Sequence, residues 1–269
     1  MALRICIAQL NFLVGDTTGN GQKIIAAARA AFEGEWGELT GFQRAKLMHR
    51  LADLMEENAD ELAMADTLDM GKPITQSKHD VARSVWNFRF FADHARMRTS
   101  DMYPMDSGHH AYTRYDPVGV VVAISPWNFP LAIFLGQIAA ALAAGNTVIA
   151  KPAEQTTLTA YLAVQILHDA GVPAEVLQFL PGDGATVGAA LTRDPRVTGV
   201  VFTGSTEVAK IIQRALAAKD GPIVPLIAET GGINAMLVDS SALPEQVVDA
   251  AVVSAFRSAG QRCSALRLL

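Results

Sequence analysis

The sequence predicts an α/β chain built on a parallel sheet with helices on both faces. Five short, nearly continuous apolar runs (118–125, 147–151, 176–180, 199–202 and 224–228) alternate with segments of helical length. Strands apolar on both faces need cover on both sides, and a parallel sheet connected by helices provides it. Half of the 269 residues are apolar and 18% are charged, enough to bury one large core or two modest ones. The polar and glycine- or proline-bearing blocks begin at or just after the ends of these runs, where ligands of such sheets bind.

From the N-terminus, Leu3–Asn11 reads as a short strand and Val14-Gly15-Asp16 as a turn. The alanine-rich stretch Lys23–Phe32 is helical. Apolar residues recur at helical spacing from Phe42 to Leu68 (Leu47, Leu51, Leu54, Met55, Leu62), which predicts one long amphipathic helix. Gly71-Lys72-Pro73 stops it, and a second long helix covers roughly Ile74 to Arg98. A polar loop or hairpin with His109 and His110 follows; the six histidines show no spacing typical of a metal site. Between the apolar runs, helices are expected at Leu131–Ala144, Thr156–Ala170, Ala185–Thr192 and Ser205–Ala218. Pro244–Ser258 is a further helix, and Leu269 falls within a strand.

A net charge of −5 gives no reason to expect a nucleic-acid partner. The most apolar stretch, Phe129–Ala144, contains Pro130, Gly136 and Gln137 and falls short of a bilayer span, so it reads as a buried helix and no membrane is expected. The apolar run Ile5–Val14 lacks a clear small-residue cleavage site, so no signal peptide is expected. Cys6 and Cys263 do not make a disulfide framework, which points to a reduced, cytoplasmic setting.

Five groups of residues could carry chemistry, each with a plainer reading beside it. Cys263 follows a glycine-containing turn and is either a small buried hydrophobe or a thiolate nucleophile. Glu229 is a solvated strand-end carboxylate or a general base, and a base would benefit from an apolar setting. Asn128 caps the helix near Pro130 or donates to a developing oxyanion. Lys151 and Glu154 form a surface ion pair or contact a ligand, and Gly204-Ser205-Thr206 is an ordinary helix cap or a phosphate site. Gly182, Gly184 and Gly188 have the wrong spacing for a dinucleotide fingerprint and read as loop and helix-packing positions.

Pro126-Trp127-Asn128-Phe129-Pro130, Lys151-Pro152-Ala153-Glu154, Phe202-Thr203-Gly204-Ser205-Thr206-Glu207-Val208, Glu229-Thr230-Gly231-Gly232 and Gly260-Gln261-Arg262-Cys263, in this order, resemble the aldehyde dehydrogenase superfamily. The resemblance implies a Rossmann-like NAD-binding domain plus the start of a catalytic domain. It makes Cys263 the nucleophile, Glu229 the base for thioester hydrolysis, and Asn128 an oxyanion donor together with the Cys263 backbone N–H. It assigns Ser125, Pro126, Trp127, Lys151, Ala153, Glu154, Gly204, Ser205 and Gly231 to the cofactor, with no metal. A carboxylate at Glu154, near the ribose 2′-hydroxyl, favours NAD over NADP.

From Pro117 to Leu269 the match narrows. Blocks such as Ser125–Phe134, Leu226–Gly232, Asp239–Val248 and Ser258–Arg267 look like the dehydrogenase module of bifunctional proline-utilisation proteins, apart from Ile233 where that branch has glutamine. That implies oxidation of glutamate semialdehyde, the open form of 1-pyrroline-5-carboxylate, to glutamate. Residues 40–115 look like generic aldehyde dehydrogenases. The first twenty or so, with Arg4–Asn11, resemble the nitrilase-like glutaminase domain of NAD synthetases, so the chain looks mosaic, joined near Ala26–Phe32. The division expected is therefore 1–25 atypical, 26–230 NAD-binding, and 231–269 the beginning of a truncated catalytic domain. The expected partner is a small-molecule aldehyde, with homo-oligomer formation left open. An inert NAD-binding or interaction fragment and a glutaminase or NAD synthetase remain as alternatives.

Overall fold

The computed structural model describes residues 17–269. The strand expected at Leu3–Asn11, the turn at 14–16 and Cys6 lie outside the described residues. Helix α1 (Thr17–Glu33) runs unbroken through Ala26 and is followed by a single helical turn, α2 (Glu35–Glu38). Buried Trp36 ties that turn down by donating its indole N–H to the Asn146 carbonyl at 3.0 Å.

The single helix expected over 42–68 is two helices, α3 (Gly41–Glu57) and α4 (Ala59–Met70). Thr40 and Gln43 form a capping box at the start of α3. At Asn58 the backbone departs from the helical region (φ −102°, ψ 20°), and its side-chain amide donates to the Leu54 carbonyl at 2.7 Å. An asparagine that satisfies the backbone itself competes with helix continuation, which apolar spacing alone does not show. Gly71, left-handed at φ 81°, ends α4, and α5 (Ile74–Met97) follows Pro73 as expected. The segment around His109 and His110 is a hairpin of β1 (Met102–Tyr103) and β2 (Ala111–Tyr112).

The alternating half then runs β3 (Val120–Ile124), α6 (Pro130–Ala143), β4 (Thr147–Lys151), α7 (Thr157–Asp169) and β5 (Leu177–Phe179). The helix expected at Ala185–Thr192 is a π-helical turn, Gly184–Gly188, leading into α8 (Ala189–Arg193); Asp183 caps the turn through the Thr186 N–H at 2.8 Å. After it come β6 (Val197–Gly204), α9 (Thr206–Ala217), β7 (Leu226–Thr230), β8 (Asn234–Ala235), α10 (Pro244–Phe256) and β9 (Leu266–Leu268).

Strands β5-β4-β3-β6-β7, in that order, form one wholly parallel sheet. The chain moves outward from β3 to β5 and then returns to place β6 on the other side of β3. The strand order therefore reverses between β3 and β6, and a crevice opens there beyond their C-terminal ends. Val121, Ala123, Val148 and Ala150 face α6 and α7, with α3, α4 and α5 packed beyond. Val120, Val122, Ile149 and Phe202 face α1, α8 and α9. Helix α6 is buried almost all round (Leu131, Phe134, Leu135 and Ile138 are fully covered), the reason its sequence is apolar without a polar stripe. It covers β3 and β4 but leaves the same face of β6 and β7 open, with Ile227 59% exposed. No helix among the described residues is long and apolar enough to cross a membrane.

Candidate active site

Sheet register decides which motifs meet. Ile124 at the end of β3 is level with Lys151 on β4 and Phe202 on β6, and one step further Thr203 pairs with Glu229 on β7. All the sequence blocks singled out above except that containing Cys263 thus emerge at one end of the sheet. Cys263 reaches the same end from α10. Its loop is fixed by side chains from three directions: Asn128 donates its amide to the Gln261 carbonyl, Asn234 donates to the Cys263 carbonyl at 2.7 Å, and Arg262 Nη2 donates to both oxygens of Asp80 at 3.0 and 2.9 Å. Cys263 and Glu229 line one cavity of about 910 Å³, together with Phe129, Ile133, Gln137 and Thr203. The thiol and the acid thereby border one groove, and the Asn128 amide binds the loop that carries the thiol.

Two details differ from the sequence expectation. Glu229 is exposed on the open face of β7, so no apolar setting encloses it among the described residues. Asn128 spends one amide N–H on Gln261, leaving the other for a ligand. Cys263 is exposed, which answers the choice between packing sulfur and accessible thiol in favour of the latter.

Beneath the cysteine loop lies a charge cluster that the sequence reading missed. Lys72 Nζ is 2.5 Å from Asp66 and 2.7 Å from Asp80, and all three side chains are buried. Burial pushes the Asp66 carboxyl above the usual range, against the pull of Lys72. The Phe129 ring meets both cations, its centroid 4.2 Å from the Arg262 guanidinium carbon and 5.2 Å from Lys72 Nζ. A signal was available: Asp80 falls on the same helical stripe as Ser77, Val81, Ser84 and Val85, and a carboxylate on a buried stripe needs a partner. From sequence alone Lys72 reads only as part of a helix stop.

Across the sheet, Lys151 is buried at the end of β4. Its ammonium donates to the Pro152 carbonyl at 3.1 Å and lies 3.9 Å from Glu154. Burial depresses its pKa, partly offset by Glu154 and Asp183. A Cβ at Gly188 would meet the lysine stem at 3.7 Å, an ordinary contact, whereas Gly182 at φ 150° leaves no room for a Cβ beside Val187. Of the three glycines in this stretch, close packing excludes a side chain at Gly182, while Gly184 faces open space. Gly204 is required for a similar reason, since a Cβ there would lie 2.5 Å from the Phe202 ring. Ser205 caps α9 through the Val208 N–H at 3.2 Å. Ser125 is buried, its N–H donating to the Lys151 carbonyl at 3.2 Å, while Trp127 is exposed.

With this geometry in view, comparison with known proteins is informative. The sequence profile of the aldehyde dehydrogenase family matches residues 16–269. The bifunctional protein PutA of Escherichia coli K12 is 52% identical over 237 residues, 87% of this chain and 17% of PutA. A crystal structure of a mutant of Bradyrhizobium japonicum proline utilization A superposes with a TM-score of 0.88 at 51% identity, over 93% of this chain and 26% of that one. An aldehyde dehydrogenase from Bacillus cereus, also as a mutant, superposes with a TM-score of 0.86 at 38% identity, over 92% of this chain and 50% of that one. The chain thus spans about a sixth of the length of the curated PutA relative it matches.

Proposed function

The chain belongs to the aldehyde dehydrogenase family, and from that premise we propose that it carries the nucleophile, oxyanion donor and dinucleotide contacts for NAD-dependent oxidation of an aldehyde to a carboxylate. Within this reading, residues 26–230 are the nucleotide-binding unit and 231–269 the opening of the catalytic unit. The observation that supports it best is the shared cavity of Cys263 and Glu229, with Asn128 bonded to the cysteine loop.

The residues present fit a dinucleotide. Lys151 is a buried cation with one carbonyl partner, so its remaining N–H groups need acceptors, which ribose hydroxyls supply. Glu154, half exposed beside it, accepts from hydroxyls and repels a 2′-phosphate. Gly204 and Ser205 bring the N-terminus of α9 to the strand ends, a position suited to pyrophosphate. Ser125, Pro126, Trp127, Ala153 and Gly231 complete the proposed contacts. The bound nicotinamide would supply the two-electron oxidant.

Cys263 Sγ attacks the aldehyde carbon, a C–S bond forms, and the carbonyl oxygen becomes an oxyanion. The free N–H of the Asn128 amide and the Cys263 backbone N–H receive that charge. Once the carbon is oxidised, Cys263 holds a thioester. Glu229 takes a proton from water, the hydroxide adds to the thioester, the C–S bond breaks, and carboxylate and thiol are released. Similarity to PutA favours glutamate semialdehyde as the aldehyde. The test supplies glutamate semialdehyde and NAD and follows absorbance of NADH, with Cys263→Ser and Lys151→Ala beside the parent. Thiol-dependent NADH is expected, with at least about a tenfold rise in the NAD concentration needed after Lys151→Ala. Calorimetric NAD binding without any thiol-dependent turnover would instead establish the inert fragment.

A further inference from the structure

The cysteine loop has a shape that its own residues do not favour. Ser258, Ala259 and Gly260 are three consecutive left-handed residues (φ 56°, 55° and 66°). For serine and alanine that conformation is sterically disfavoured, so it persists only where surrounding contacts over-determine it. Ser258 is 1% exposed, its hydroxyl 3.9 Å from the Met70 sulfur at the end of α4. Gly260 has no room for a Cβ, which would lie 2.7 Å from the Ala255 carbonyl. Beyond that sulfur contact, what grips this stretch from α4, α5 and the loop between them is the pair Arg262–Asp80.

We infer that Asp80 is a positioning residue for the nucleophile: it anchors Arg262, so that the α4–α5 corner determines where Cys263 points. The inference rests on the reading of Cys263 proposed above. Asp80 Oδ1 is committed to Arg262, and Oδ2 is shared between Arg262 and Lys72. The cluster contains two acids, Asp66 and Asp80, and two cations, Lys72 and Arg262, so its charge closes only when Arg262 is docked. A buried carboxylate and ammonium are a costly means of joining two helices that already pack through Leu62, Ala63, Val81 and Val85. They are well suited to specifying a single seat for a third charge. The docked guanidinium also lies over Phe129, the neighbour of Asn128, so one clamp sets the thiol loop and the oxyanion amide together.

The test needs no turnover, which separates it from the fate of the proposed reaction. In a Cys6→Ser background Cys263 is the remaining thiol; it is labelled with a trifluoroethylthio group and followed by fluorine NMR, while hydrogen exchange is read over residues 257–265. Asp80→Asn and Arg262→Gln should each speed exchange in that segment by about tenfold or more, leave α3 and α7 within about twofold, and shift or broaden the fluorine line. Asp80→Glu should restore the parent line. The Asp80→Asn/Arg262→Gln double variant should exceed neither single variant by more than about twofold, because both remove one interaction. If Asp80→Asn does not fold, Arg262→Gln, which leaves the Lys72–Asp80 pair intact, carries the test. An unchanged fluorine line and segment in folded Arg262→Gln, or additive effects in the double variant, would overturn the inference and leave the cluster as helix glue.

Discussion

Lys72 is the residue on which the buried charges depend. With Asp66 and Asp80 at 2.5 and 2.7 Å, it balances two carboxylates, of which Asp80 also meets Arg262. Removing one partner of a buried pair leaves an uncompensated charge and typically costs about 3–5 kcal/mol, whereas removing both together can be nearly neutral. Lys72→Met should therefore lower unfolding free energy by about 3–5 kcal/mol, read from urea transitions at neutral pH. Asp66→Asn/Lys72→Met should recover more than half of that loss, because one acid and one cation then remain. Burial already lifts the Asp66 carboxyl above its ordinary range, which shows how weakly its charge is supported. If the double variant is as unstable as Lys72→Met, the lysine stem's packing, rather than its charge, is what the fold needs.

At the scale of elements, α1 shows how a helix is held on a sheet it does not follow in sequence. Ile24, Ile25 and Ala28 are buried against the β3–β4 face. One polar lock fixes its start: Gln22 donates to Asp194 Oδ2 at 3.0 Å, and Arg196 donates to both Asp194 oxygens at 2.9 and 2.8 Å and to the Gln22 side chain. Burial raises the Asp194 carboxyl, but the Arg196 hydrogen bonds outweigh it and the net shift is downward. A carboxyl lowered in the folded state contributes stability above its unfolded value of about 3.9, lost as pH falls through the folded value. Asp194→Asn should thus cost about 1.5–3 kcal/mol at pH 7, with the gap to the parent narrowing below about pH 4 in melts across the range. A gap that stays constant on acidification would place the loss in geometry instead of charge. None of this lock was legible beforehand, because Gln22 and Asp194 are linked only by the fold. The alternating strands and helices were legible, since apolar runs of strand length separated by helical segments have few other solutions. The break at Asn58 was not, since the side chain that ends α3 leaves the apolar spacing on either side unchanged.

Across the whole molecule, the candidate site was legible where its residues lie in contiguous motifs, at strand ends for Asn128 and Glu229 and after α10 for Cys263. It was hidden where the parts are supplied by separate helices, as at Asp66 and Asp80. The molecule is also unevenly covered. On one side of the sheet α6 and α7 cover β3, β4 and β5, while on that same side β7, the edge strand next to β6, keeps Ile227 exposed and is followed by Leu237 at 97%. Helix α10 buries none of its residues and presents Val248, Val252, Val253 and Phe256 to solvent. Contiguous apolar surface and an unpaired strand edge favour association. Sedimentation velocity should show the weight-average mass rising with concentration above the 28.6 kDa of one chain. Val252→Ser/Phe256→Ser should return it toward that value without loss of helical circular dichroism, because both side chains already face water. A parent that stays at one-chain mass at the highest concentrations tested would mean that this open face is tolerated in water, and the expectation of association would fail.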